Sequence, residues 1–285
     1  MVTGKNKFNT FCVGQTKKEE LYSTASLLIE SEIDQLSYAI LNNANSQCIG
    51  LCALALESSM GRMERRDLLK DIFAENEVLN FPFSKRSVLM SNRECVFIPE
   101  QVFHEDDLKY YIDASFGDNF KGECFATKIP ELKNYIVFKI PDWLISIYRE
   151  KLSGATIQHS TAFLVGAIYR LSRQRSETII HAHFKRSFFE LLIFKQGKML
   201  FYNSFSYQTS EDIAYFIMYA LQQWELEGNE MSVSGLLNAD SEELFWLRKY
   251  LGEIKEFPAE ELLSFPPALE TPSLFLNLLN PSHCE

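Results

Sequence analysis

The sequence predicts a mixed α/β protein of two lobes, each opening with three hairpin-linked strands and continuing with a helix and a further strand. Two stretches carry this reading. Thr178–Leu237 contains, in order, an alternating run (TIIHAHF), a run with one polar member (FFELLIF), a returning strand (MLFYNSFSY), an amphipathic helix and a short strand (MSVSGL). Residues 24–90 repeat that grammar without residue-level identity, a repeat of pattern alone. Composition supplies a core for both: of 285 residues, 46% are hydrophobic and 13% aromatic, with 23 Phe, enough for one large domain or two modest ones.

Residues 1–20 are polar, end in Lys17-Lys18-Glu19-Glu20 and are expected to fray. Thr24–Ile33, Leu36–Asn42 and Cys48–Glu57 read as strands, with Asn42-Asn43-Ala44-Asn45-Ser46 as the second turn. Arg62–Leu79 is helical by the spacing of Leu68, Leu69, Ile72, Phe73 and Leu79. Ser87–Met90 and Cys95–Ile98 are short strands. An irregular section follows at about 100–160: a helix over Glu105–Phe116, strands over Glu123–Lys128 and Tyr135–Ile140, and a helix over Asp142–Leu152 opened by Pro141. A brief strand, Ala155–Gln158, and a helix, Thr161–Leu171, lead to Arg170, Arg173 and Arg175, which mark a boundary near 175. The expected division is a flexible 1–20, a first lobe at 21–175 and a second at 176–285.

In the second lobe TIIHAHF alternates as a half-buried strand should. Phe188–Phe194 is too apolar for an edge and suits a strand covered on both faces, so Leu192→Asp is expected to prevent folding. Gly197 supplies a tight reversal. Thr209 caps the next helix, with Asp212 standing where a capping box has Glu. Ile213, Phe216, Ile217, Ala220, Leu221 and Trp224 recur at helical spacing and form its buried face. Prolines 258, 266, 267, 272 and 281 imply a tail that wraps, with Leu274–Leu279 as one packed turn.

The formal charge of −10 argues against nucleic acid or an anionic membrane as partner, since both need a basic footprint. The start, MVTGKNKFNTFCVG, has no apolar run for a signal or a span. A cytoplasmic protein without membrane insertion is expected. Its six cysteines form no CxxC pair and read as buried thiols.

Three antiparallel strands followed by helix and strand, occurring twice, is the build of the actin-like ATPase and ribonuclease-H-like folds. The run His181-Ala-His-Phe, then Phe188-Phe-Glu-Leu-Leu-Ile, Gly197-Lys-Met-Leu-Phe-Tyr-Asn-Ser-Phe205 and Thr209-Ser-Glu-Asp-Ile213 resembles a bacterial family of the Bacteroidetes type, domain of unknown function 3822. Leu36-Ser37-Tyr38, Phe97-Ile98-Pro99-Glu100 and His159-Ser160-Thr161 fit it too. The likeness covers residues 22 to 280 and implies two ribonuclease-H-like lobes in an actin-like arrangement. It brings no known activity.

That fold's chemistry can be tested on residues. An actin-like ATPase needs an Asp-x-Gly turn in the first hairpin of each lobe, where glycine lets amides reach the phosphates and Asp holds hydrated Mg²⁺. The first-lobe turn offers Asp34 and Ser37, but Leu36 stands where Gly is wanted; the second is Lys185-Arg186-Ser187, with neither acid nor glycine. For the paired glycines of an adenine site there is Gly235 alone. Asp34, Ser37, Lys185, Arg186 and Gly235 are therefore the candidate ligand-binding residues, with Asp34 facing Lys185 or Arg186 across an interlobe cleft, and no cofactor is expected. A two-metal nuclease lacks its carboxylates, for Thr178–Phe184 has no acid. His181 and His183 have ligand-like i, i+2 spacing. Pairing across a three-residue turn sets them beside Leu191 and Phe189, on a partly exposed face with Tyr202 and Ser204 and with Glu190 on the other side. No GxSxG or P-loop occurs. The reading is a binding or scaffolding protein of actin-like fold whose partner is another protein; the alternative is a nucleotide-dependent enzyme with an atypical site.

Overall fold

The computed structural model describes residues 10–13, 23–32, 35–45, 47–56, 60–226, 230–237, 241–259, 265, 269 and 272–279. The chain divides into two units: Met1–Phe163 with Ser264–Glu270 and Asn277–Glu285, and Leu164–Leu263 with Thr271–Leu276.

In the first unit the strands β1 (Thr10–Val13), β2 (Ala25–Ser31), β3 (Gln35–Asn42), β4 (Cys48–Ala55), β5 (Lys85–Met90) and β9 (Thr156–His159) form one sheet in the order β1-β4-β3-β2-β5-β9. The meander β2–β3–β4 is antiparallel, and β5 and β9 add in parallel. β1 lies in the segment expected to fray. It pairs antiparallel with β4, Thr10 opposite Leu54 and Val13 opposite Leu51, because the edge of an apolar strand is a template for any extended segment. The same ladder sets Cys12 across from Cys52, which is disulfide-bonded, whereas Cys48, Cys95 and Cys124 are free. The expectation of thiols throughout is corrected at Cys52.

The helix α1 (Arg62–Glu75) buries Leu69, Ile72 and Phe73. It stops short of the expected Leu79 because the Asn76 side chain accepts from the Val78 N–H at 3.2 Å, a local bond that competes with the helix. A 3₁₀ turn over Glu77–Asn80 completes the segment and buries Leu79. The irregular section holds a second, antiparallel sheet of β6 (Cys95–Pro99), β7 (Gly122–Ile129) and β8 (Asn134–Pro141), ordered β6-β8-β7. With it go the helices α2 (Leu108–Phe116) and α3 (Asp142–Lys151), the latter starting after Pro141 as expected. The tail returns to this unit through Asn277, whose Nδ2 donates to the buried Glu30 Oε1 at 2.8 Å.

The helix α4 (Ser160–Gln174) is buried along most of its length. After it, β10 (Thr178–Phe184), β11 (Phe188–Lys195), β12 (Lys198–Ser206), β13 (Met231–Gly235) and β14 (Ile254–Glu256) form a sheet ordered β12-β11-β10-β13-β14. Strand for strand, this repeats β4-β3-β2-β5-β9. β11 is buried at every position but its last and lies inside the sheet, as its composition predicts. The helix α5 (Ser210–Gln223) opens with the expected capping box: Thr209 Oγ1 accepts from the Asp212 N–H and Asp212 accepts from the Thr209 N–H. Trp224 was expected on its buried face but falls at the cap beyond the last turn and is 41% exposed. A further helix, α6 (Glu242–Leu251), capped by Ser241, precedes β14. Ile180, Ala182 and Phe184 of β10 pack with Ile213, Ile217, Leu244 and Leu247 in the core of this unit. Among the described residues no helix is long and apolar enough to cross a membrane.

Candidate functional site

Because Ile180, Ala182 and Phe184 of β10 point into that core, His181 and His183 fall together on the opposite face of the sheet, with Ile179. Both are buried, at 0% and 1% exposure, not partly exposed as expected. The register differs from the expected one by a residue. Lys185 N–H donates to Phe188 O at 2.9 Å, so the loop proper is Arg186-Ser187 and the opposed pairs are His181 with Leu192 and His183 with Glu190. A slip of one residue exchanges the faces of a strand. Glu190, expected on the other face, therefore joins the histidines, as do Tyr202 and Ser204 from β12.

On the other side β13 runs parallel to β10 and sets Ser232 beside His181 and Ser234 beside His183. The His181 ring meets Ser232 Oγ through Nδ1 at 2.9 Å and Ser234 Oγ through Nε2 at 2.8 Å; His183 Nδ1 lies 2.7 Å from the same Ser234 oxygen. Each neutral imidazole has one donor and one acceptor nitrogen, so the Ser234 hydroxyl can link the two rings by donating to one and accepting from the other. Tyr202 donates its hydroxyl to Glu190 Oε1 at 2.9 Å. Burial holds the His181 imidazole down at about 3, and it holds His183 well below its ordinary value, assisted by the positive charge of Lys185 and by His181. Phe257 closes on the His181 ring at 5.1 Å. A serine beside a histidine is the beginning of a nucleophile and base, but Ser234 is 3% exposed and serves both rings as partner. The network's observed work is to join β10 to β13. Among the described residues no group of three or more His, Cys, Asp or Glu is placed to hold a metal ion.

Of the residues singled out in the sequence, Lys185, Arg186 and Gly235 come together at the end of β10. Gly235 is opposed to Phe184, and Lys185 and Arg186 follow it directly. Lys185 is buried and Arg186 exposed, and the Tyr207 hydroxyl donates to the Lys185 carbonyl at 3.0 Å. Gly235 has φ +88°, and a Cβ there would stand 2.1 Å from the Phe184 carbonyl oxygen and 2.8 Å from its nitrogen. Only glycine fits this turn. Gly235→Ala should lower unfolding free energy by more than about 1–3 kcal/mol, the usual cost of a strained backbone, because the obstructing atoms are themselves backbone. Urea unfolding measures this; an unchanged midpoint would contradict the close approach. Ser37 lies within β3 rather than in a turn, 2% exposed, accepting from Gln35 Nε2 at 2.9 Å, opposite Glu30. Asp34 lies outside the described residues.

The sheet order and its repetition define the class: a protein with the actin-like ATPase fold. It is similar to a Bacteroides thetaiotaomicron crystal structure of a protein with actin-like ATPase fold and unknown function, at 18% identity and a TM-score of 0.77 over 85% of this chain and 94% of that one. It is also similar to the PilM-PilN type IV pilus biogenesis complex, at 12% identity and a TM-score of 0.58 over 91% of this chain and 98% of that one. No curated protein matches the sequence. Residues 15–254 match the family described as protein of unknown function DUF3822, and the chain belongs to that family.

Proposed function

We propose that this chain uses the actin-like fold to bind another protein, without hydrolysing ATP and without binding nucleic acid. The observation that carries this reading is the use made of the backbone amides around the second-lobe hairpin. Where a phosphate cradle needs amides turned toward a ligand, Lys185 N–H donates to Phe188 O, Leu236 N–H to Phe184 O and Leu237 N–H to Gly235 O, at 2.8–2.9 Å. The turn itself brings Lys185, Arg186 and Ser187 in place of an Asp-x-Gly. The likeness to a complex of two pilus-biogenesis proteins agrees with a partner-binding use of the fold.

Thermal unfolding with millimolar ATP or ADP and magnesium tests the reading. No shift is expected, since a ligand that binds only the native state must raise the midpoint. A magnesium-dependent rise of several degrees would overturn it in favour of a nucleotide-dependent enzyme.

A further inference from the structure

The two sheets share one strand order but differ at one edge. In the first unit, β4 carries an additional antiparallel strand, β1, and the described side chains of β4 are buried or half-buried. In the second unit, β12 holds the equivalent place and ends the sheet: among the described residues no strand lies beyond it. None of its nine residues is buried. The outward backbone direction can be read from one bond. Ser204 N–H donates to Asn203 Oδ1 at 2.9 Å, so it points away from β11, and the two-residue period gives Tyr202 and Ser206 the same direction.

Beside this edge lies an aromatic shelf. Phe205 stacks on Phe216 of α5 at 5.0 Å, and Phe201 meets Trp224 edge-on at 6.4 Å. The row continues outward through Tyr215, 5.6 Å from Phe216, to Tyr219, and these two are 64% and 55% exposed. An open ladder edge flanked by apolar surface is what strand addition uses: main-chain bonds supply affinity, and alternate side chains supply selectivity.

We propose that β12 is the docking strand for an extended segment of the partner protein, which adds to the sheet as β1 adds to β4 and places its alternate, apolar residues on the Phe201–Phe205 shelf. This deepens the partner-binding reading above and rests on it. Asn203 guards the edge in the free protein by capping the Ser204 N–H, as edge strands need some device against indiscriminate pairing. The partner strand replaces that bond.

The probe is a displayed library of 12-residue peptides selected on the native full-length chain, with the selected peptides then measured by fluorescence anisotropy and hydrogen exchange. Peptides of alternating apolar and polar residues are expected, with increased protection at the Ser204 and Ser206 amides. Ser204→Pro removes an outward donor at an edge position that tolerates proline, and Trp224→Ala removes part of the shelf; each should weaken binding about tenfold, the loss of roughly one good contact. Asn203→Ala should strengthen it. Melting temperatures of the variants separate lost binding from lost folding, and Trp224→Ala keeps the test open if the proline variant fails to fold. Helix-forming peptides that protect α5 and α6, self-pairing of β12 in a concentration-dependent dimer, or no selected peptide would each overturn the proposal. Any of these without an ATP-induced thermal shift would remove the strand-addition site and leave the partner-binding reading standing; an ATP-induced shift strikes that reading itself.

Discussion

Leu191→Asp is expected to leave no cooperatively folded protein. Leu191 is fully buried on β11, opposite Ala182 on one side and Asn203 on the other, and packs in the apolar core with Ile213 and Leu244. A carboxylate there meets no donor. Removing a charge from water without a partner costs several kcal/mol, against a total stability of about 5–15 kcal/mol for an ordinary domain. The adjacent Leu192→Asp is the weaker test, although the sequence alone suggests it. Leu192 is as deeply buried but faces His181 and Tyr202, so a carboxylate at that position finds groups able to bond it. Leu191→Ala supplies the graded control, with an expected loss of about 2–5 kcal/mol. Circular dichroism and urea unfolding distinguish the three. A native-like, cooperative Leu191→Asp protein would mean that the faces of β11 are exchanged.

That contrast shows where the sequence is informative and where it is not. Local rules are written within a few residues. The alternation in TIIHAHF, the apolar run of β11 and the Thr209–Asp212 box all specify elements that form where expected, because each depends on neighbours in the chain. The duplicated strand order is legible for the same reason, as two runs of the same local pattern. The polar face around His181 is different. Its partners Ser232 and Ser234 arrive through a parallel pairing some fifty residues away, which no local pattern announces. Glu190 depends on whether the hairpin loop holds two residues or three, and Lys185-Arg186-Ser187 contains no Gly or Asn to decide it. β1 is not legible because TFCV, though made of strand-forming residues, is a run of only four in a polar segment, and its pairing with the β4 edge is set some forty residues away.

The polar face also makes the protein's stability depend on pH, and this is the second large effect expected. In the folded chain His181 is held neutral down to about pH 3, and His183 is likewise depressed, first by burial and then by Lys185 and His181. In the unfolded chain both should titrate near the ordinary value of about 6.5. Below that pH the unfolded state binds protons that the native state refuses, so unfolding becomes easier as the pH falls. The stabilisation is complete above the unfolded value and is lost progressively toward the folded one. Each histidine contributes a slope approaching about 1.36 kcal/mol per pH unit, so the pair approaches about 2.7. Over two units that is comparable to the whole stability of a marginal domain. Exposed carboxylates, with unfolded values near 4, add little between pH 6.5 and 5. Urea unfolding at half-unit steps from pH 7.5 to 5 should show the decline, and His181→Gln should reduce its slope by about half while retaining a side chain that can bond Ser232 or Ser234. A flat profile across this window would mean that protons reach the imidazoles in the native state, and the face would then have to open to water rather than serve as a closed seam between β10 and β13.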